Sequence, residues 1–336
     1  MNRFVVFGTG KDYVTIVWND IKNDEDVVFF DAPFMHKTKI LDFFCKAHSA
    51  FIINKYIQLP MKRVWSFLYP MENIEITPDD TYYFYFYDNS ICRYDPKYLH
   101  DFRIKHKNVY YILNMGNAMH KRKALLHPYI NDIDIVYSSN KEDVERYHFK
   151  NFSGYTNNYR SAISKPFDKC TFDVFYAGNA YDRLDKIHAV YDRLIDLGLK
   201  VDIHINGVKS SSHKKAGIKY NQEMQYDEII QRDCDAKCIL EVVGDKPTML
   251  TLRNREAIFL HRKLLTNNSE VLKASYYNPK NICYFATPDE INKDFFEGNE
   301  PIEYDYSEGI TARDMLNMAV KDIESGYRWR KRKKRK

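Results

Sequence analysis

The sequence predicts an α/β fold of two domains in series, each built from βαβ units around a parallel sheet. The chain has 336 residues, more than one hydrophobic core usually supports. Short β-branched and aromatic runs alternate with segments of helical periodicity, which is typical of strands buried on both faces of a parallel sheet. A polar, turn-rich stretch separates two such series. We therefore expect a domain over residues 1–150, a linker over 151–170, a domain over 171–320 and a basic tail over 321–336.

The first half contains five strand-like runs with helical segments between them. The strands are predicted at 4–7, 26–31, 82–87, 108–113 and 133–137. The helices are predicted at 37–48, 62–68 and 141–147. This alternation favours parallel strands joined by crossover helices.

The second half opens with the clearest βαβ unit. A strand over 172–177 ends at Gly178-Asn179, helical spacing follows as far as 195, and the next strand, over 200–205, ends at Asn206-Gly207. Later elements are predicted as helices at 226–232 and 252–260 and as strands at 238–243, 263–266 and 282–285.

The positive charge of the chain is concentrated at its end. The net charge is +5, and the last nine residues carry eight of the 51 basic side chains, so the remainder is mildly acidic. We expect the tail residues Arg328, Trp329, Arg330, Lys331 and Arg332 to bind anionic lipid headgroups, with the indole at the interface. The alternatives are nucleic-acid binding and a flexible, solubilising end. Because the remainder has no basic face and no nucleic-acid motif, we expect no nucleic-acid partner.

The cysteines and the N-terminal residues indicate the cellular compartment of the protein. None of the six cysteines forms a C-x-x-C pair, and we expect them to be reduced thiols. The first strand begins almost at Met1, without the pattern of a signal peptide or a membrane span. We therefore expect a cytoplasmic protein, held peripherally on the inner face of the cell membrane by its tail.

Three loops at the carboxyl ends of second-half strands are candidates for binding a nucleotide diphosphate. The first contains Gly178 and Asn179, and the second contains Asn206 and Gly207. A glycine in such a loop lets the main chain approach a phosphate closely. The third loop runs over 244–253 into a predicted helix.

The third loop carries the argument for function. Thr251 or Thr248 can cap the helix, whose free N–H groups and positive dipole end would face an anion. Arg253 lies in the first turn, where a cation gains nothing from the dipole but can neutralise a phosphate. Glu256 lies one turn further, within reach of ribose hydroxyls. The alternative is an ordinary surface helix start with Arg253 and Glu256 in solvent.

The segment 226–268 resembles the donor-binding region of GT-B glycosyltransferases, most closely the bacterial capsule and lipopolysaccharide type. The likeness is carried by the Glu-Ala pair at 256–257 and the Lys-Leu-Leu-Thr-Asn run at 263–267. It covers 172–290 well and the first half only in its strand–helix rhythm. The resemblance implies two Rossmann-like domains facing a cleft, and a UDP-, GDP- or CMP-sugar as donor substrate.

The resemblance also implies residue roles. Glu256 would bind the ribose of the donor, and Thr251, Leu252 and Arg253 would hold its phosphates. Many retaining members have a second glutamate where this chain has Thr248, so we expect inversion. The acceptor would be a hydroxyl of a surface polysaccharide or a lipid-linked glycan.

An inverting enzyme needs a general base for the acceptor hydroxyl, and the resemblance implies that the N-terminal domain supplies it. Asp12, just after the first strand, is the first candidate, and Asp88, after the strand at 82–87, is the second. Asp31, His36 and His120 are weaker candidates. We expect neither a metal nor another cofactor, because helix N–H groups and cations can stabilise a leaving diphosphate.

Two other functions stay open. Gly8-Thr9-Gly10, followed by Asp31 at the end of the next strand, matches part of a dinucleotide-binding fingerprint, although Tyr13 takes the place of its third glycine. This pattern would suit an NAD-dependent oxidoreductase. The abundant aromatic residues would suit a non-catalytic carbohydrate-binding protein, but they are equally good core material.

Overall fold

A computed structural model describes residues 1–35, 38–50, 54, 59–152, 162–245, 250–298, 302–306 and 311–327. The chain divides into two compact units. The first unit comprises Met1–Asn157 with Ile310–Lys336, and the second comprises Asn158–Gly309. The sequence-based division carries the second domain to residue 320, whereas the structure assigns the end of the chain to the first unit.

The first unit is built on a parallel six-stranded sheet. Its strands are β1 (Asn2–Phe7), β2 (Val27–Phe30), β3 (Thr81–Tyr87), β4 (Val109–Met115), β5 (Ile135–Ser138) and β6 (Lys150–Asn151), and they lie in the order β2-β1-β3-β4-β5-β6. Its α-helices are α1 (Asp12–Thr15), α2 (Lys39–His48), α3 (Asp88–Ile91), α4 (Pro96–Lys105), α5 (Lys123–Leu126) and α6 (Lys141–Tyr147). The helix predicted at 62–68 is a 3₁₀-helix, Lys62–Leu68.

The strands of the first unit are apolar on both faces, as a covered parallel sheet requires. In β3, every residue after Thr81 is buried, and its side chains enter two clusters on opposite sides of the sheet. A last helix, α10 (Ala312–Glu324), covers one side through Met315, Leu316 and Ala319. Arg313 pairs with Asp26, the residue before β2, at 2.7 Å. The end of the chain therefore completes the first core.

The second unit has a parallel sheet of its own. Its strands are β7 (Phe172–Asn179), β8 (Val201–Asn206), β9 (Ile218–Tyr220), β10 (Ala236–Glu241), β11 (Lys263–Thr266) and β12 (Ile282–Tyr284), in the order β12-β11-β10-β7-β8-β9. Its α-helices are α7 (Leu184–Asp196), α8 (Tyr226–Cys234) and α9 (Leu252–Phe259). The chain builds outward from β7 in one direction and then returns to place β10 on its other side. A strand order that reverses in this way creates a binding crevice at the switch point, beyond the carboxyl ends of β7 and β10.

Candidate functional site

The carboxyl edge of the second sheet brings two predicted loops together. Asn179 ends β7 and stands in register with Asn206, which ends β8. Gly207 follows with a φ of 71°, a left-handed conformation that favours glycine. The Oδ1 atom of Asn206 is buried and has no hydrogen-bond partner in the described part of the chain. An acceptor left unpaired at this edge can take a donor from a ligand.

Gly178 has a packing role that the sequence does not show. A side chain at this position would come within 2.7 Å of the Tyr176 hydroxyl. The glycine therefore makes room for Tyr176, which is buried against the core of the unit. Its position next to Asn179 is as expected, but the contact that requires a glycine is internal.

Two arginines cross the switch point in opposite directions. Arg183, which follows β7, donates to the main-chain oxygen of Val242 beyond β10 at 2.6 Å and to that of Asn179 at 2.7 Å. Arg253, which follows β10, donates back to the oxygen of Ala177 on β7 at 2.8 Å. Each arginine lies at the N-terminal end of the helix after its strand. Two guanidinium groups and two helix N-termini thus share one edge, an arrangement suited to an anion.

The start of α9 is fixed by a cap and a buried carboxyl group. Thr251 Oγ1 accepts from the main-chain N–H of Arg253 at 3.2 Å, and its hydroxyl donates to Glu241, the last residue of β10. Glu241 is buried, and burial raises its pKa, although donors such as Thr251 and Thr266 act in the opposite direction. Leu252, the first residue of α9, is half-buried. Thr251 therefore caps the helix as expected. The sequence did not predict that Glu241 holds the Thr251 hydroxyl in place.

Arg253 and Glu256 are enclosed, so neither lies in solvent as an ordinary surface helix start requires. Arg253 Nη1 donates to Glu256 Oε2 at 2.7 Å and to Asp233 Oδ2 at 3.1 Å. Glu256 and Asp233 are fully buried, and the Tyr226 hydroxyl donates to the other oxygen of Glu256. Both carboxylate oxygens of Glu256 are therefore engaged by side chains of the protein.

Burial and charge act against each other in this cluster of Tyr226, Asp233, Arg253 and Glu256. Burial raises the pKa of Asp233 well above its usual range, and the positive charge of Arg253 opposes that rise. Burial alone would lower the pKa of Arg253, but the carboxylates of Glu256 and Asp233 outweigh it and raise that pKa. Arg253 is therefore a permanent cation that two buried carboxyl groups share.

Arg183, Glu241, Asp233 and Tyr226 were not predicted as site residues. A signal for two of them is present in the sequence. Arg183 stands just before a helix, where a cation is disfavoured, the same anomaly that singled out Arg253. Glu241 is the charged residue within an otherwise apolar run at 238–243. The contact of Arg183 with Val242 depends on β10 lying beside β7, which local pattern does not encode.

The candidate bases in the first unit lie in different environments. Asp12 is exposed at the start of α1. Asp88 is buried after β3 and accepts from Arg122 at 3.1 Å and from Asn117 at 3.0 Å. Burial raises the pKa of Asp88, and Arg122 acts against that rise. Its carboxylate is therefore already occupied by internal partners.

The weaker candidate bases are either exposed or outside the described residues. Asp31 is exposed and accepts from the Thr15 hydroxyl, and His120 is exposed. His36 lies outside the described residues, as do Thr248 and the tail residues Arg328, Trp329, Arg330, Lys331 and Arg332. Within the described ranges, none of the helices has the length and apolarity needed to span a bilayer.

Comparisons with known proteins reveal likeness at the level of fold. No protein-family model matches the chain, and no curated protein sequence matches it. The structure of S. aureus MnaA with UDP is similar with a TM-score of 0.50 at 9% identity, covering 96% of this chain and 97% of that one. A putative UDP-N-acetylglucosamine 2-epimerase from Listeria monocytogenes gives 0.48 at 10% identity, covering 98% of each chain. An α-glucosyltransferase in complex with UDP and a 13-mer DNA gives 0.48 at 10% identity, covering 79% of each chain.

These findings confirm one expectation and contradict another. The predicted α/β fold, with two parallel-sheet units of the kind that the GT-B resemblance implies, is confirmed. The expectation of no nucleic-acid partner is wrong as it was argued, because a similar α-glucosyltransferase holds DNA together with UDP. Net charge and the lack of a short motif are therefore insufficient grounds for excluding a nucleic-acid partner.

Proposed function

We propose that this chain is a glycosyltransferase that takes its sugar from a UDP-, GDP- or CMP-sugar, whose diphosphate (a single phosphate in a CMP-sugar) binds at the switch point of the second unit. The observation that carries the proposal is the reciprocal crossing of Arg183 and Arg253 between β7 and β10. The two groups bring positive charge to the place where strand order opens a crevice. A diphosphate is the ligand group that such a pair of guanidinium groups suits.

The two arginines have different tasks in this proposal. Arg253 is shared with Asp233 and Glu256, so much of its charge is already compensated. Arg183 donates to main-chain oxygens, and none of the carboxylates that the structure describes forms an ion pair with it. We therefore assign the main phosphate contact to Arg183. Arg253 supports the edge of the site and holds the Glu256 side chain through their contact of 2.7 Å.

Glu256 is assigned to the ribose of the donor. It lies one turn into α9, and its carboxylate is held by Tyr226 and Arg253. Ribose hydroxyls would replace the Tyr226 hydroxyl as donors to the same oxygen. The exchange replaces one buried hydrogen bond with others and leaves no buried carboxylate unpaired.

Transfer requires a base for the acceptor hydroxyl. We assign this role to Asp12, because its carboxylate is exposed, whereas Asp88 is occupied by Arg122 and Asn117. The acceptor oxygen forms a bond to the anomeric carbon and gives its proton to Asp12 as the bond to the diphosphate breaks. The nucleotide, a nucleoside diphosphate or CMP, leaves with the bonding electrons, stabilised by helix N–H groups and arginine without a metal. The reaction inverts the anomeric centre, and the acceptor is a surface polysaccharide or a lipid-linked glycan.

The proposal is tested by nucleotide binding to Arg183→Ala. UDP, GDP and CMP are compared by melting shift and calorimetry, with NAD(H) as the ligand expected of an oxidoreductase. Arg193→Ala is a matched control, because Arg193 lies on the same helix and also donates to a main-chain oxygen, that of Ile291 at 2.8 Å, away from the switch point. We expect one nucleotide to stabilise the wild type and the control but not Arg183→Ala.

Product analysis with the matching nucleotide-sugar then separates transfer from hydrolysis and epimerisation. Stabilisation by NAD(H) instead of a nucleotide would replace the proposal with an oxidoreductase. A chain that binds a nucleotide-sugar without turning it over would be a binding protein.

A further inference from the structure

The first unit contains a cavity of about 530 Å³ that the proposed donor site does not use. It lies at the carboxyl ends of β1 and β2, against the loops 9–11 and 31–34, and helix α2 forms another wall. Arg93, which follows α3 in the sequence, also lines the cavity. The first sheet reverses its strand order between β1 and β3, so the cavity lies beside the switch point of this unit.

Arg93 is a cation for which the described part of the chain supplies no counterion. It is half-buried on the cavity wall, and no carboxylate in the described ranges forms an ion pair with it. Burial lowers its pKa, opposed by the nearby Cys45, Tyr94 and Cys92. Burial of a charge is costly unless that charge is paired. An anion entering the cavity would supply the missing partner.

Other polar groups extend this environment. The Thr9 hydroxyl oxygen is buried and has no hydrogen-bond partner that the structure describes. Lys11 and Lys46 also line the cavity, together with the carboxylates of Asp31 and Asp42. The Asp31 carboxylate accepts from the Thr15 hydroxyl. The three cations therefore exceed the two carboxylates, which leaves an excess of positive charge.

The remaining wall is apolar and unreactive. Ala32, Pro33, Phe34 and Ala50 contribute apolar surface. Cys45 is buried, and burial raises the pKa of its thiol to about 12, so the thiol stays neutral and acts as apolar lining. Anchoring cations combined with apolar walls suit a ligand with one charged group and an uncharged body.

We infer that this cavity binds the phosphate group of a phosphorylated ligand, with Arg93 as its anchor and the Thr9 hydroxyl as a further donor. The volume suits a ligand of the size of a sugar phosphate. The planar guanidinium group of an arginine matches phosphate oxygens in geometry as well as charge. This inference rests on the first unit alone and is independent of the proposed donor site in the second.

The phosphate can be carried by a soluble sugar or by a lipid, and helix α2 bears on the second source. One side of α2 lines the cavity through Asp42, Cys45 and Lys46. Ile40, Phe43 and Phe44 on the same helix are exposed, with Ile40 at 70%. Such an apolar surface is compatible with a lipid carrier, whereas a nucleic-acid backbone would contact charged and polar groups instead.

The test compares the wild type with Arg93→Ala and Arg93→Lys. Arg63→Ala is the control, because Arg63 is exposed and already pairs with Asp101 at 2.8 Å. The probes are inorganic phosphate, glucose 6-phosphate, and phosphatidylcholine vesicles with and without phosphatidic acid. We expect Arg93→Ala to weaken binding of the phosphate probes about tenfold or more, Arg93→Lys to weaken it less, and Arg63→Ala to leave it unchanged.

The measurements with glucose 6-phosphate and with phosphatidic acid vesicles identify which kind of molecule carries the phosphate. Arg93-dependent binding of glucose 6-phosphate assigns a soluble ligand, and Arg93-dependent binding of phosphatidic acid vesicles assigns a lipid. Equal affinity in the wild type and Arg93→Ala overturns the inference, as does Arg93-dependent binding of a DNA oligonucleotide without binding of either phosphate monoester. Nucleotide stabilisation through the second unit is measured on the same variants, and we expect it to be unaffected.

Discussion

Arg253 and Glu256 form an ion pair of 2.7 Å along the first turn of α9, and the same guanidinium nitrogen also lies 3.1 Å from Asp233. One cation therefore serves two fully buried carboxylates. The sequence suggested that Arg253 faces the phosphates of a ligand and Glu256 its ribose. The structure gives both residues an internal partner, so binding and stability are coupled in the proposed site.

This coupling predicts a large stability loss in Arg253→Ala. Removing the guanidinium leaves Asp233 and Glu256 buried without their cation, which costs about 3–5 kcal/mol. Because burial already raises the pKa of Asp233, the variant should regain part of this loss as the pH falls and Asp233 takes up a proton. Urea unfolding at several pH values measures the effect. A loss that is independent of pH would contradict the assignment of the cost to buried carboxylates.

The role of Glu256 is tested with a nucleotide that lacks the ribose hydroxyls. We expect Glu256→Gln to weaken binding of the nucleoside diphosphate about tenfold, because ribose hydroxyls donate more strongly to a carboxylate than to an amide. The 2′,3′-dideoxy form should bind equally to the variant and the wild type.

Tyr226→Phe is the companion variant. It removes the hydroxyl that would compete with ribose for Glu256 in the proposed site, so nucleotide binding should be retained or improved. Calorimetry with both nucleotides checks the pair of variants. A tenfold discrimination by Glu256→Gln that persists with the dideoxy form would show that Glu256 acts through the fold instead of the ribose.

The fold was largely predictable from sequence, whereas the connections within the site were not. Apolar runs identified β7, β8, β10 and β11 because strands covered on both faces are apolar throughout. The crossing of Arg183 and Arg253 follows from strand order, a long-range property that no local window contains. Likewise, nothing in the surroundings of Asp88 reveals the buried Arg122, which lies 34 positions further along the chain.

The end of the chain illustrates the same limit. Helical periodicity is compatible with α10, but it does not say which core the helix covers. Two contacts place α10 on the core of the first unit. Arg313 forms an ion pair with Asp26, and the Tyr137 hydroxyl donates to Asp322 at 2.7 Å. Those partners are far apart in sequence, and only the assembled first unit brings them together.

Leu316→Ala tests this placement of α10. Leu316 is buried in the core of the first unit, and its truncation should cost about 2–5 kcal/mol of stability. Asn317→Ala, on the exposed side of the same helix, is the control and should change little. Urea unfolding followed by proteolysis identifies the unit that opens. Cleavage confined to residues 162–306 would contradict the assignment of the helix to the first unit.

Asp12→Asn should separate binding from chemistry. We expect turnover to fall about 100-fold or more, because a general base contributes about 10²–10⁴-fold, while nucleotide affinity stays unchanged. Glu142→Gln, an exposed carboxylate on α6, is the control. Full activity in Asp12→Asn would remove Asp12 as the base.

A pH-dependent stability change is expected from Asp202 in β8. Burial alone would raise its pKa, but hydrogen bonds with His204 and from Lys219 outweigh burial and lower it from 3.8 to about 2. A carboxylate whose pKa is lower in the folded state contributes stability above its unfolded pKa and loses it as the pH falls through the folded value. The shift corresponds to about 2 kcal/mol, and this contribution should disappear between about pH 4 and pH 2.

Asp202→Asn provides the measurement, because the amide does not titrate in this range. The free energy of unfolding of the wild type should fall more steeply than that of the variant between about pH 4 and pH 2. Asp192→Asn is the control, since Asp192 is exposed and pairs with Lys215 at the surface. Parallel curves for the wild type and Asp202→Asn would contradict the stabilising role of this carboxylate. A steeper wild-type curve would indicate that the Asp202 carboxylate stabilises the unit through its contacts with His204, Lys219 and Arg232, the last of which joins α8 to β8 at 2.7 Å.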